Sequence, residues 1–217
     1  MIGTLMFNIR YAGRTQYNVN SLCYRAPEFD TVDWSNSFVI QGCSQVFGES
    51  TMDDTQIVNH YLSVLLNSPV INLGVPGSGM EVQYINALEM LENGIKPKGV
   101  FIIYPNMDRY SLYANNQREH VGSWSSNEKL KWMLNGNSRT QNINLMRGYR
   151  LLWKFAGVPL YEWSHQHDNK DFCEEVIQWD QFLDFGPDNQ HWGPKTSQAI
   201  AEILFNQFKK QVSKTTD

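Results

Sequence analysis

The stretch that decides the fold is FVIQGCSQVFG, at residues 38–48. It opens with an unbroken apolar run, residues 38–40, which predicts a strand buried on both faces. Two glycines, Gly42 and Gly48, then flank Ser44, so a serine follows the strand on a turn. A strand followed by a polar turn is typical of sites at the carboxyl end of a parallel sheet.

Further strands and helices alternate along the chain. Short apolar runs predict strands at residues 37–41, 70–73, 99–104 and 158–163, and helical spacing predicts helices at 81–93 and 196–210. Apolar residues at helical spacing predict two more helices. The first follows the capping pair Asp53 and Asp54 and has the apolar face Ile57, Tyr61, Val64 and Leu65. The second has the apolar face Leu145, Tyr149, Leu152, Trp153 and Ala156. This alternation predicts an α/β fold with a mainly parallel sheet covered by helices on both faces.

One large domain is expected from 217 residues. Residues 1–36 are polar and rich in turn-forming residues, and we interpret them as an N-terminal extension that wraps the domain formed by residues 37–217. Within that domain, about residues 108–140 form a polar insert with at most a short helix at 129–134. A segment of this length inside a compact domain is often a functional loop.

Composition excludes several classes of protein. The chain is 41% hydrophobic and 18% charged with a net charge of −4, which is typical of a globular protein and disfavours nucleic acid as a partner. No apolar run approaches the ~18 residues of a membrane span, and the first ten residues lack the features of a secretory signal. Three cysteines without metal-like spacing predict free thiols, so we expect a cytoplasmic protein. Nothing in the sequence indicates an oligomeric state.

A second polar cluster lies near the C-terminus. Asp188 and His191 stand three residues apart, shortly before the last predicted helix. Together with Ser44 they supply the groups needed for nucleophilic acyl transfer: the histidine takes the serine proton, and the acid orients the imidazole.

Four blocks of the chain resemble the SGNH, or GDSL-type, serine hydrolases. The family's Gly-Asp-Ser-x-Thr-x-Gly turn is matched at residues 42–48, with Cys43 and Val46 in place of the Asp and the Thr. Its Asn-x-Gly-x-x-Gly turn is matched at 72–77 and its Asp-x-x-His block at 188–191. Of its Gly-x-Asn-Asp block only Asn106 remains. The resemblance runs from about residue 18 to the C-terminal helix.

This resemblance implies a flavodoxin-like, three-layer α/β/α sandwich in which a serine attacks an ester or related acyl carbon, so the expected substrate is an ester of a small molecule or a glycan. It makes Ser44 the nucleophile, His191 the base and Asp188 the orienting acid, with no metal and no organic cofactor. It also implies an oxyanion hole made of the backbone N–H groups of Ser44 and Gly77 and the side-chain amide of Asn106. The changed residues around Asn106 alter the loop on which the orientation of that amide depends.

Other interpretations stay open at this point. Trp124 in the polar insert and Trp192 beside the base are candidate substrate contacts. Cys43 is expected to point into the core, and the histidines of residues 165–168 are interpreted as part of a surface loop. The preferred function is a serine esterase or deacylase, with an acylated carbohydrate as one candidate substrate. The alternatives are a carbohydrate O-acyltransferase and a catalytically degenerate domain that binds a partner or glycan.

Overall fold

The computed structural model describes residues 17–114, 117–122, 125, 128, 138–164 and 182–215. A four-stranded parallel sheet forms its centre, in the order β2–β1–β3–β6. Its strands are β1 (Phe38–Gly42), β2 (Val70–Gly74), β3 (Gly99–Ile103) and β6 (Leu160–Trp163). All five residues of β1, β2 and β3 are buried, as the continuous apolar runs predict.

Helices cover both faces of this sheet. They are α1 (Ser44–Phe47), α2 (Val58–Leu66), α3 (Met80–Glu92), α4 (Ser138–Ala156) and α5 (Pro194–Thr215). Successive side chains of a strand point to opposite faces. Accordingly, Val39 packs in a cluster with α3 and α4, whereas Phe38 and Ile40 pack with α2 and α5. The expected three-layer α/β/α sandwich is confirmed.

The polar insert contains a β-hairpin, which the sequence reading missed. Strands β4 (Tyr110–Ala114) and β5 (Gln117–Val121) pair in antiparallel register. The helix expected at residues 129–134 lies outside the described residues.

The prediction that Ile57, Tyr61, Val64 and Leu65 form the core-facing side of α2 is partly wrong. Val64 is 67% exposed, while Val58 and Leu62 are completely buried. The helix also begins later than the capping pair predicts. The Asp53 carboxylate accepts from the Thr55 N–H and so caps a separate 3-10 turn at Asp54–Gln56, and α2 begins only at Val58.

The segment before β1 contributes a buried cation. The Arg25 side chain is 2% exposed and forms an ion pair with Asp54, with 2.5 Å between Nε and Oδ1. Its Nη1 donates to the carbonyls of Gly48, at 2.9 Å, and Thr51, at 2.7 Å. Arg25 therefore fixes the chain that leaves α1.

No helix among the described residues is long and apolar enough to cross a membrane.

Two glycines with different neighbours give a test of this packing. A Cβ on Gly74 would lie 2.4 Å from the backbone nitrogen of Phe47, so Gly74→Ala must displace α1. We expect it to lower the free energy of unfolding by about 1–3 kcal/mol, measured by urea denaturation. The control is Gly148→Ala inside α4, where the new methyl meets only the ring of Tyr84, at 2.9 Å. That change should be neutral or stabilising because alanine favours a helix by about 1 kcal/mol over glycine. Equal stability of both variants would contradict the close approach of β2 and α1.

Candidate active site

Ser44 is the first residue of α1, directly beyond the carboxyl end of β1. Cys43 precedes it in extended conformation, and Gly48 ends the helix in the left-handed region, with φ 79°. The Ser44 carbonyl accepts from the N–H groups of Gly48 and Glu49, at 3.1 and 3.0 Å. Ser44 is only 6% exposed, and its hydroxyl makes no hydrogen bond within the described residues.

The Gly77 turn is tied to the Ser44 turn through one carbonyl. The oxygen of Gly42 accepts from the Val75 N–H at 3.0 Å and from the Gln83 amide at 3.1 Å. The same Gln83 nitrogen lies 2.9 Å from the hydroxyl oxygen of Ser78. Gln83 is completely buried, so α3 holds the turn after β1 and the turn after β2 in a fixed relation.

Asn72 performs a similar task from β2. Its Nδ2 donates to the Val46 carbonyl at 2.8 Å, and its Oδ1 accepts from the Gly74 N–H at 2.9 Å. The residue is 1% exposed. The asparagine of the second sequence block therefore joins β2 to α1.

Asn106 follows β3 with its amide partly fixed. Its Oδ1 accepts from the Asp108 N–H at 2.8 Å, and its backbone carbonyl accepts from the Arg109 N–H at 3.1 Å. The buried Asn142 of α4 holds the same loop by donating to the carbonyls of Met107 and Arg109, at 2.6 and 2.8 Å. These contacts use the oxygen of the Asn106 amide and leave its N–H groups for another acceptor.

Asp188 and His191 form a direct pair. The Asp188 Oδ2 lies 2.6 Å from the His191 Nδ1, and its Oδ1 accepts from the N–H groups of Gln190 and His191, both at 3.0 Å. Burial by itself raises the pKa of Asp188. The backbone hydrogen bonds and the His191 ring outweigh that effect, and the pKa falls to about 2. Asp188 is therefore an anion at neutral pH, as an orienting acid must be.

The loop that carries this pair is closed at its base. Phe185 and Trp192 form an isolated antiparallel bridge, and the Gly186 N–H donates to the His191 carbonyl at 2.8 Å. Below the bridge, the Asp184 carboxylate accepts from the N–H groups of Lys195 and Thr196, at 3.0 and 2.8 Å. Asp184 thus caps the start of α5 and anchors the loop to that helix.

Gln45 connects this loop to the Ser44 turn. Its Oε1 accepts from the Trp192 N–H at 3.1 Å, and the side chain is buried. The bond joins the residue after Ser44 to the residue after His191, across 147 positions of sequence. It is the contact that sets the His191 loop beside the serine.

The outer nitrogen of His191 faces a second carboxylate. His191 Nε2 lies 3.6 Å from the Glu49 Oε2, and the two side chains are 16% and 11% exposed. Within the described residues no hydrogen bond joins His191 to Ser44, so the structure does not close the expected triad. In enzymes without substrate, catalytic hydrogen bonds are often long or poorly aligned.

His120 of β5 covers the Gly77 turn. Gly77 has φ 74°, and a Cβ placed on it would lie 3.2 Å from the His120 Cβ. The polar insert therefore reaches the expected oxyanion hole through a histidine that sequence reasoning did not single out.

Other expected residues lie elsewhere. Trp192 is 1% exposed and packs against Trp163 and Phe182, so its side chain belongs to the core and is not a substrate contact. Cys43 is a buried free thiol, 1% exposed. Trp124 and residues 165–168 lie outside the described residues. Among the residues that are described, no group of three acidic, histidine or cysteine side chains could hold a metal.

A cavity of about 510 Å³ lies between the N-terminal segment and α2. Its lining includes Arg25, Asp54 and His60, and none of the expected catalytic residues. Arg25 and Asp54 are bonded to each other there. The cavity is therefore separate from the candidate active site.

No protein-family model and no curated protein matches this chain. Several solved structures are similar to it, among them the following three. A lipolytic protein of the G-D-S-L family from Desulfitobacterium hafniense is 11% identical with a TM-score of 0.40, over 79% of this chain and 99% of that one. A psychrotrophic esterase from Pseudoalteromonas sp. is 12% identical with a TM-score of 0.42, over 82% and 99%. A GDSL-like lipase from Bacteroides thetaiotaomicron is 13% identical with a TM-score of 0.37, over 85% and 91%. Likenesses of this size carry no conclusion about activity.

The contact between Gln45 and Trp192 can be tested with matched variants. Gln45→Leu keeps the size of the side chain but removes the acceptor of the Trp192 N–H. Because the His191 loop is then no longer held in position relative to Ser44, we expect at least a tenfold loss of kcat with a smaller change in KM. Gln45→Glu keeps an acceptor oxygen and should restore most of the rate. These constants would be measured on a chromogenic ester.

The control is Gln207→Leu in α5. This buried glutamine donates to the Glu162 carbonyl at 3.0 Å, away from the site, so its loss should lower stability and leave kcat unchanged. Equal effects of Gln45→Leu and Gln207→Leu on kcat would show that Gln45 has only a structural role.

Proposed function

We propose that this protein is a serine esterase that cleaves carboxylic esters through an acyl-enzyme. Ser44 is the nucleophile, His191 the general base and Asp188 the acid that orients the imidazole. The observation that supports this best is the Asp188–His191 pair, which has 2.6 Å between Oδ2 and Nδ1. The next residue, Trp192, bonds to Gln45, the neighbour of Ser44. An acylated carbohydrate remains one candidate substrate.

In the first half of the reaction, the Ser44 Oγ bonds to the acyl carbon while His191 Nε2 takes its proton. The negative charge that develops on the acyl oxygen is stabilised by the N–H groups of Ser44 and Gly77 and by the amide of Asn106. The bond to the alcohol oxygen then breaks, and the proton on Nε2 passes to that oxygen. Asp188 remains ionised throughout and stabilises the imidazolium.

In the second half, water replaces the alcohol. His191 Nε2 takes a proton from the water as its oxygen bonds to the acyl carbon, and the same proton returns to the Ser44 Oγ when the carboxylic acid leaves. The residues named here account for each proton transferred.

One observation favours a second candidate function, a degenerate domain that binds a partner without catalysis. His191 Nε2 has a carboxylate within 3.6 Å and no hydrogen bond to Ser44 in the described part of the chain. A histidine held permanently by Glu49 would leave the serine inactive. Labelling of the nucleophile separates this reading from the esterase.

A fluorophosphonate probe reacts with an activated serine, and intact mass gives the number of adducts. We expect one adduct on the wild-type protein, mapped to Ser44 by peptide analysis, and none on Ser44→Ala. The control is Ser37→Ala, which removes a buried hydroxyl that donates to the Asp33 carbonyl before β1 and should leave labelling in place. An unlabelled wild-type protein, or an adduct on Cys43, would contradict the esterase.

Asn106 should supply an oxyanion donor. Asn106→Ala is expected to lower kcat about a hundredfold or more, because one preorganised donor to the oxyanion is lost. Asn106→Asp is the informative companion: it keeps the Oδ1 that accepts from Asp108 but replaces the donor by an acceptor, so it should be equally slow with the loop intact. Kinetics with an activated ester, together with circular dichroism, check both variants. A loss of only a few-fold would show that the altered loop has dismantled this part of the hole.

A further inference from the structure

Glu49 is the only carboxylate besides Asp188 that the described residues bring to the His191 ring. Its Oε2 lies 3.6 Å from Nε2, on the opposite side of the ring from Asp188. It belongs to the chain that leaves α1 and is not part of any motif recognised in the sequence.

The position of Glu49 is fixed by the turn that carries Ser44. Its N–H donates to the Ser44 carbonyl at 3.0 Å, and the Gly48 carbonyl before it accepts from Arg25. On its other side, Ser50 approaches the His191 loop so closely that a Cβ on Gly186 would lie 1.9 Å from the Ser50 Oγ. Glu49 is 9% exposed. The backbone at Glu49 is therefore held between the serine turn and the His191 loop.

The reaction places the alcohol part of the ester beside the same nitrogen. Nε2 must give its proton to the leaving oxygen, so that oxygen comes within hydrogen-bond distance of Nε2. A carboxylate 3.6 Å from Nε2 is then a close neighbour of the leaving alcohol. The acyl part lies on the other side of the reacting carbon, towards the oxyanion donors.

We propose that Glu49 determines which alcohols the enzyme releases, favouring esters of positively charged alcohols and rejecting esters of anionic ones. The inference rests on the proposed esterase activity, since it concerns the leaving group of that reaction. Charges in a poorly solvated cleft interact more strongly than in water, and a fixed negative charge concentrates cations and repels anions. Sugars carrying phosphate or carboxylate next to the ester are therefore expected to be poor substrates.

Three acetate esters of similar size test the proposal: choline acetate, its uncharged analogue 3,3-dimethylbutyl acetate, and 2-sulfoethyl acetate. For the wild-type protein we expect kcat/KM to fall in that order, by about tenfold or more at each step at low salt. Glu49→Gln keeps the size of the side chain and removes its charge, so both ratios should shrink at least about fivefold while the neutral ester is still cleaved.

The control variant is Glu202→Gln on the exposed face of α5, which makes the same chemical change and the same change in net charge away from the site. It should keep the wild-type ratios. Equal kcat/KM values for the three esters in the wild-type protein would overturn the proposal without any variant, and so would unchanged ratios in Glu49→Gln. Either outcome leaves the esterase standing if the fluorophosphonate still labels Ser44. A wild-type protein that is neither labelled nor active on any ester overturns the esterase itself, and the proposal with it.

Discussion

The candidate site depends on buried side-chain amides that hold the Ser44 turn in place. Asn72 binds it from β2, Gln83 binds it from α3, and Gln45 reaches from it to the His191 loop. An amide removed from water without a partner costs several kcal/mol, whereas a paired one contributes about 1 kcal/mol. Each bond is therefore weakly stabilising when made and costly when lost. Such bonds define one arrangement of the turn more than they add to overall stability.

Much of the fold could be predicted because the signal is local. Most central residues of β1, β2 and β3 are apolar, Asn72 and Gln41 being the exceptions, and such runs mark strands buried on both faces. The hairpin of β4 and β5 was missed because its sequence, YSLYA and QREHV, carries charged and small polar residues and no such run. Pairing between its strands, which no single-strand pattern shows, holds it together.

In the candidate site, too, the local features could be predicted from the sequence and the contacts between distant residues could not. The pair of Asp188 and His191 could be read from the sequence because it is local, three residues apart and close to a helix start. The partners of Gln45 and Gln83 could not, since the bonds span 147 and 41 positions and any buried glutamine would look alike. Trp192 was misjudged for a related reason. Its neighbour His191 is partly exposed, but the bridge to Phe185 turns the tryptophan inward.

The imidazole of His191 lies between two carboxylates of different kinds. Asp188 belongs to the loop of the histidine itself and moves with it, whereas Glu49 belongs to the same short turn as the nucleophile. Ser44 and Glu49 are thus joined within one turn. To accept the proton of Ser44, Nε2 has to come within hydrogen-bond distance of its Oγ. The Gln45 bond limits the movement of the His191 loop, because it fastens the residue next to His191 to the residue next to Ser44. A substrate oxygen that enters beside Nε2 needs the space between the ring and Glu49. That space is only 3.6 Å across between Nε2 and Oε2, so an ester can bind productively only if the ring and Glu49 separate.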